Sequence, residues 1–311
     1  MRVLITGAGV AGLSCAVALR RLCRAELTIV ERASEVAAQG GTGLAIPPNG
    51  ARALAAVGVA MDRLIARGSY LREYRMFDSA GRELSRADLT RLWLSKEQPY
   101  FAVHRRRVYE ALLEALGDQP IEFGSTAEVR PGELGGGPPS VTIHGPRGSR
   151  EETYDLVVGA DGIRSALREV MFPDVAPRPL GWWTWRCVLD YDRSVPDTQL
   201  VYSGLGGVFL HLPSGGGQVY VYAGSRDVES AGRLQSGHGR AVAARFGEFG
   251  APRALFDALA ALPDDAFHVG PLEEVPHEQL TSAGRGRAVL VGDALHACSP
   301  NMAQGVALAA E

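Results

Sequence analysis

Lysine is almost missing from this chain of 311 residues: among 32 basic side chains, Lys96 is the single lysine. Without a Gly-Lys pair there is no phosphate-binding P-loop, and no tyrosine stands four residues before Lys96 to make a short-chain dehydrogenase pair. Cysteine is scarce as well. Cys15, Cys23, Cys187 and Cys298 are widely spaced and form no C-x-x-C pair, which argues against a disulfide framework or a structural zinc. Neither H-E-x-x-H nor G-x-S-x-G occurs, so zincins and α/β-hydrolases lose their local signatures. No apolar run approaches the roughly 20 residues that span a bilayer. The N-terminus lacks the apolar segment of a signal peptide, and the expected compartment is the cytoplasm. Charge of one sign is lacking too: 35 acidic against 32 basic residues leave a net of -3, which speaks against nucleic acid or an anionic membrane as main partner. At 46% hydrophobic and 22% charged, the chain is globular in composition and long enough for one large α/β domain or two ordinary ones.

What is present alternates between two periodicities. Residues 3–5 form a buried strand that runs into Gly7-Ala8-Gly9-Val10-Ala11-Gly12, and helical spacing follows over 11–22. Residues 26–30 are a second strand ending at Glu31. Asn49 is expected to cap a helix through Val57 that Gly58 stops. A strand–turn–strand pattern covers 70–84, a helix 105–116, and strands near Ile121 and Val141 flank the turn Gly135-Gly136-Gly137-Pro138-Pro139. Residues 154–158 are a strand entering Gly159-Ala160-Asp161-Gly162. Between 180 and 223 several β-rich runs appear, then helical stretches over 239–249 and 253–262. A strand at 288–291 leads into Gly292-Asp293, with a helix expected from about Asn301.

The glycine turn carries the first chemistry. Gly7 permits the tight bend, Gly9 lets a pyrophosphate approach the backbone, and Gly12 lets helix and strand pack closely. The helix N-terminus near Ala11 offers unpaired N–H groups to the phosphates. Glu31, 19 residues after Gly12, ends the second strand, where its carboxylate can accept both ribose hydroxyls. That acid points to FAD or NAD, and Arg32 beside it leaves NADP open.

Two later segments distinguish the cofactors. The run from Tyr154 through Asp161-Gly162-Ile163-Arg164-Ser165 resembles the DG motif of flavoprotein monooxygenases with the p-hydroxybenzoate hydroxylase fold. The run Val289-Leu290-Val291-Gly292-Asp293 through Pro300, continuing to Gly305, resembles that family's GD motif. The resemblance extends from Met1 to Glu311. It implies an α/β fold: a Rossmann-like FAD-binding domain (residues 1–72, 100–178 and 270–311) interrupted by a mostly antiparallel β-sheet substrate domain (73–99 and 179–269). It further implies noncovalent FAD, NADH or NADPH as co-substrate, O2, and hydroxylation of a small aromatic or planar compound through a flavin C4a-hydroperoxide. Asp293 would then hold the ribityl hydroxyls, and Pro300, Ala303, Gln304, Gly305 and Val306 would lie by the flavin. Asp161 and Gly162 help hold the nucleotides, although Asp161 also suits an N-cap. Arg105 matches an arginine near the pyrophosphate, Gly43 in the run from Gly41 to Ile46 a flavin-contacting segment, and Ala127 a strand position near adenine.

Substrate contacts are carried less sharply. Trp185 and Arg186, in Trp182-Trp183-Thr184-Trp185-Arg186, begin the expected substrate sheet, and His211 is placed where some family members put a substrate-facing histidine that could act as acid or base. A histidine flanked by apolar residues also suits a core. His296 and Cys298 show no arrangement that would make either a nucleophile. Trp183-Thr184-Trp185-Arg186 partly matches a flavin-halogenase motif, but Cys187-Val188 stands where Ile-Pro belongs and Lys96 is poorly placed as the halogenase lysine. A further alternative is a catalytically impaired or regulatory flavin-binding protein, because the sequence stops inside the expected helix from Asn301, where Met302, Val306 and Leu308 would bury. That suggests a C-terminal truncation. Oligomeric state is not legible.

Overall fold

The computed structural model describes residues 1–35, 42–92, 99–130, 134, 137–204, 206–232, 234–300 and 303–311. Chain order begins with β1 (Arg2–Thr6), α1 (Val10–Cys23), β2 (Glu26–Glu31), β3 (Gly43–Ile46), α2 (Pro48–Val57) and α3 (Met61–Ala66). Next come β4 (Ser69–Tyr70), the hairpin β5 (Glu73–Asp78) and β6 (Glu83–Asp88), α4 (Leu89–Leu92), β7 (Phe101–His104) and α5 (Arg105–Leu116). Then follow β8 (Glu122–Phe123), β9 (Thr126–Val129), β10 (Ser140–Gly145), β11 (Gly148–Thr153), β12 (Leu156–Gly159) and α6 (Ala166–Met171). The long strands are β13 (Arg178–Asp190), β14 (Thr198–Gly204), β15 (Gly207–Gly215) and β16 (Gln218–Ser225). Helices α7 (Val228–Gly232), α8 (His238–Phe246) and α9 (Arg253–Ala260) precede β17 (His268–Glu274), β18 (Gly284–Arg285), β19 (Ala288–Leu290), α10 (Asp293–His296) and α11 (Gly305–Ala310).

Val3, Leu4 and Ile5 are fully buried because β1 is the centre of a sheet covered on both faces. That sheet runs β18-β19-β12-β1-β2-β8, parallel except for the edge strand β18. Alternation sends Val3 and Ile5 into a core with Leu13, Val17 and Leu112 of α1 and α5, while Leu4 joins Val141, Ile143 and Leu167 on the other side. The β11-β10-β9 meander contributes Val129, Val141 and Ile143 to that second layer, beside Leu167 and Met171 of α6.

The large sheet runs β17-β13-β16-β15-β14-β5-β6, antiparallel apart from β14 beside β5. Its two faces meet different partners. Trp185, Cys187, Phe209 and Val221 pack under Phe246, Leu255 and Phe256 of α8 and α9. On the opposite face Leu210, Leu212 and Tyr220 meet Ala45, Leu71, Tyr100 and Ala102, joining the large sheet to the small β3-β7-β4 sheet.

Several expectations need correction. The whole of β17 belongs to the large sheet, so an interdomain boundary at 270 cuts through a hydrogen-bonded strand. Asn49 does not cap α2: Pro47 occupies the N-cap, and the Asn49 side chain instead donates to Gln304 Oε1 at 2.8 Å. Helices α8 and α9 end at Phe246 and Ala260, earlier than the apolar spacing indicated. Helix α11 begins at Gly305, with Val306 buried and Leu308 38% exposed. Gly41, Lys96, Gly135, Gly136, Asn301 and Met302 lie outside the described residues.

Candidate active site

The turn from β1 into α1 is tight because the loop after β12 lies directly against it. Gly7 has φ +98°, and a Cβ there would stand 2.4 Å from the Ala160 carbonyl oxygen of the loop after β12. Gly9 differs: nothing lies within 4 Å of where its Cβ would be. No side chain caps the N-terminus of α1 and no acid sits in its first turn, so its free N–H groups face an unclaimed space suited to an anion. Glu31, at the end of β2, accepts from Ala8 N and Ala33 N at 2.8 Å each, one on either carboxylate oxygen. Each oxygen keeps further acceptor capacity for a ribose hydroxyl.

The loops after β12 and β19 complete this rim. Asp161 Oδ2 accepts from Ala166 N at 2.8 Å and Leu167 N at 3.4 Å, so it does contribute to the start of α6, where Ser165 is the N-cap. Its Oδ1 is buried without a partner. Gly162, at φ +79°, borders open space, as does Gly305 at the start of α11. Asp293 is exposed at the start of α10 and has no hydrogen-bond donor among the described residues. Gly292 holds that loop on α1, since a Cβ there would meet Ala11 Cβ at 2.4 Å.

Arg168 locks the two loops together. It is 3% exposed and donates to Ile163 O at 2.6 Å, Ala294 O at 2.9 Å and Val175 O at 3.4 Å. Burial depresses its guanidinium and the Asp161 charge opposes that effect. Sequence reasoning missed it. Its place seven residues after Asp161 puts it on α6, but only the tertiary contact with Ala294 reveals its role.

Across the cleft stands the large sheet. Arg186 of β13 is paired directly with Tyr222 of β16 and His268 of β17, so the three side chains share one face. Arg105, at the start of α5, approaches them from the other side. It is open to solvent, yet protein surrounds it closely enough that desolvation depresses its guanidinium, with Asp293 opposing and Arg186 reinforcing. Burial, then Arg186 and Arg105, lowers His268. Burial raises the Tyr220 phenol and pushes Tyr222 up to about 12, with the Arg186 charge opposing both. These mutual influences bring Arg105, Arg186, Asp293, His268 and the two tyrosines near one another, between the loops after β12 and β19 and the large sheet. Surface cavities of about 430 Å³ near Asp190 and 330 Å³ under Arg245 gather no comparable set of groups.

The open glycine cradle, the acid with spare acceptor capacity, the orphaned Asp161 Oδ1 and the unpaired Asp293 form the donor and acceptor set a dinucleotide requires, and the residues fit FAD. Residues 1–188 match the model of a family described as FAD binding domain. Aurachin C monooxygenase/isomerase of Stigmatella aurantiaca is 32% identical over 100% of this chain and 78% of its own length. The 2-heptyl-3-hydroxy-4(1H)-quinolone synthase of Pseudomonas aeruginosa is also 32% identical, with the same coverage.

The chain belongs to this family of FAD-dependent monooxygenases.

Its fold is also that of HpxO from Klebsiella pneumoniae, solved with FAD and uric acid, at TM-score 0.82 and 23% identity over 100% of this chain and 77% of HpxO. Against the family frame, the expected cofactor residues divide by what the structure adds. Gly7 and Gly12 are structural necessities, whereas Gly9, Gly162 and Gly305 border free space. Gly43 is filled from behind: a Cβ there would collide with the Tyr220 ring at 2.4 Å. Ala127 lies on β9, in the meander whose neighbouring Ser125 N donates to Glu31 O at 2.9 Å. Arg32 is exposed beside Glu31. Ala303 takes a left-handed φ of +53° and donates its N–H to Pro300 O at 3.0 Å, which turns the chain into α11 ahead of Gln304.

The substrate expectations fare unevenly. Arg186 lies on the sheet face away from α8 and α9, near Arg105. His211 and Trp185 do not, and both are corrected here. His211 is 2% exposed, stacks on Tyr202 at 6.2 Å and neighbours Phe209, on the face that α8 and α9 cover. Its Nε2 has no partner, and burial pushes its pKa down to about 4. Trp185 shares that helix-covered face. The cause is strand parity, since residues one apart point to opposite sides of a sheet. The same rule shows that Tyr220 and Tyr222 were overlooked. Their i, i+2 spacing was the available signal, but which face α8 and α9 would cover was not written in the strand. Cys298 is raised by burial and by the Asp293 and Glu274 charges, which disfavours its thiolate.

Proposed function

We propose that this monooxygenase hydroxylates a small planar aromatic compound, using NADH or NADPH and O2, in the cleft between its FAD-binding loops and the large sheet. The observation that carries this reading is the gathering of polar groups between the two parts: Arg186, Tyr220 and Tyr222 lie near Asp293 and Arg105, beside an apolar seam of Leu210, Leu212 and Ala102. FAD, when bound, supplies electron acceptance from the nicotinamide and activation of oxygen. The chain's own residues do the rest. Glu31 would hold the adenosine ribose, the free N–H groups near Gly9 the pyrophosphate, and Asp293 would accept from the ribityl chain. Arg105 would compensate phosphate charge, and Gly305, which borders open space at the start of α11, would let the flavin approach the backbone. The apolar seam keeps water from the reacting atoms.

The similarity to proteins named for aurachin C, a heptyl hydroxyquinolone and 3-amino-4-hydroxybenzoate supports an aromatic substrate. Residues 73–99 with 178–274 then act as the substrate-binding part, and the remainder as the FAD-binding part. Four free cysteines suit a reducing cytoplasm. Among the described residues no helix is long and apolar enough to cross a membrane.

The test is direct. Denaturing the purified protein should release flavin, and a panel of phenols and heteroaromatics should contain members that accelerate NAD(P)H oxidation and return a product one oxygen heavier. Tightly held NADP without flavin would overturn the cofactor assignment. Peroxide release with every compound, and no oxygenated product, would favour a catalytically impaired flavoprotein.

A further inference from the structure

Helices α2 and α11 touch through small apolar groups, with a polar tie at one end. Gly50 lies so close to α11 that a Cβ there would stand 3.2 Å from the Ala307 Cβ, and Ala307 is fully buried. Beside that contact the Asn49 side chain donates to Gln304 Oε1 at 2.8 Å, across 255 residues of sequence. Asparagine is a costly choice in its own helix. It is a weak helix former, it does not cap α2, and its Oδ1 is buried with no hydrogen-bond partner. The receiving end is strained as well. Gln304 is the N-cap of α11 yet makes no side-chain cap bond, and Ala303 before it takes a left-handed φ of +53° although it is not glycine. A residue with a Cβ stays in that region only where its surroundings hold it. The Ala303 N–H donates to Pro300 O on one side of the turn, and Asn49 grips Gln304 on the other.

We propose that Asn49 is a positioning residue for the flavin: through Gln304 it fixes the turn at 303–305, so that the backbone at Gly305 is presented to FAD in one arrangement. The inference rests on the start of α11 flanking the flavin. Asn49 acts from the segment that carries β3, three residues after Ile46, and that segment is itself anchored to α5, because the Arg105 N–H donates to Thr42 O at 2.8 Å. The amide pair therefore sets the spacing between the β3–α2 segment and the turn into α11. Removing it does not undock the helix, since Val306, Ala307 and Ala310 remain buried and Gly50 still lies against Ala307. What is lost is the direction of the turn, and FAD must then bear the cost of ordering it on binding.

Titrating flavin-free protein with FAD, followed by quenching of flavin fluorescence, measures this without turnover. Asn49→Ala should bind FAD about 10-fold more weakly while the melting temperature of the apoprotein moves by no more than about 2 °C. Gln304→Ala should weaken FAD by a similar factor, and the double variant no further, because both remove the same tie. Exchanging the two amides, Asn49→Gln with Gln304→Asn, keeps their combined reach and should recover part of the affinity that Asn49→Gln alone loses. Hydrogen exchange over residues 303–308 should quicken in Asn49→Ala apoprotein and return to the wild-type rate on saturation with FAD. Wild-type FAD affinity in Asn49→Ala, losses that multiply in the double variant, or a loss matched by a fall in apoprotein stability each overturns the assignment. Gly305→Val separates the proposal from its premise. Unchanged FAD affinity there would remove the flavin from α11 and the proposal with it, whereas a blocked Gly305→Val beside an unaffected Asn49→Ala would sink the positioning role alone.

Discussion

The glycine cradle and the large sheet impose order on side chains in opposite ways. In the cradle, each residue's role follows from its own backbone: Gly7 must adopt φ +98° against the Ala160 carbonyl, while Gly9 has an ordinary φ and open space before it. In the sheet, Trp185 and Arg186 have the same local conformation and opposite fates, one under α8 and α9 and the other on the opposite face, near Arg105. A turn encodes function in torsion angles. A strand encodes it in parity, and parity has no meaning until each face has a partner.

The sharpest way to break this comparison is to add one methyl group at two positions two residues apart. Gly7→Ala should lower stability by about 3–5 kcal/mol, through left-handed strain and a backbone clash that cannot relax. Gly9→Ala should melt like the wild type and yet fail to retain FAD, because its methyl occupies the space left for the pyrophosphate. Thermal unfolding and flavin content after dialysis separate the two. Equal melting temperatures for both variants would show that the cradle is less rigid than its geometry implies.

His211 sharpens the sheet side. Its folded pKa of about 4 lies below the ordinary 6.5, so the unfolded chain takes up the proton more readily. Its contribution is therefore present above pH 6.5 and declines as pH falls toward 4, amounting to about 2 kcal/mol lost at pH 5. His211→Leu should flatten that decline in urea midpoints between pH 7.5 and 5 and leave hydroxylation in place. A collapse of turnover with FAD retained would return His211 to the substrate. The smallest effect is expected at Glu31→Ala, which should weaken FAD by roughly 1–3 kcal/mol through lost ribose hydrogen bonds and a loosened Ala8 amide. Isothermal titration of the apoprotein with FAD reads this, and an unchanged affinity would remove the ribose from Glu31.

The amino-acid sequence by itself determined the β1–α1–β2 unit and the helix at 105–116, because glycine torsions, strand-ending acids and helical periodicity are local properties of the chain, while the DG and GD loops were legible through their resemblance to the family's motifs. It also named the glycines and the acid that the structure gathers at the turn after β1. The tertiary structure decided what no local pattern could. It turned Asn49 from a helix cap into a partner of Gln304, joined β17 to the large sheet beyond residue 270, and made Arg168 the tie between loops more than a hundred residues apart. It also chose which face of β13, β15 and β16 meets the cleft, withdrawing His211 and Trp185 while bringing Arg186, Tyr220 and Tyr222 forward. The physical reason is that both faces of those strands are apolar enough to bury, and only the packing of α8 and α9 on one side and of the β3-β7-β4 sheet on the other decides which side chains each face keeps.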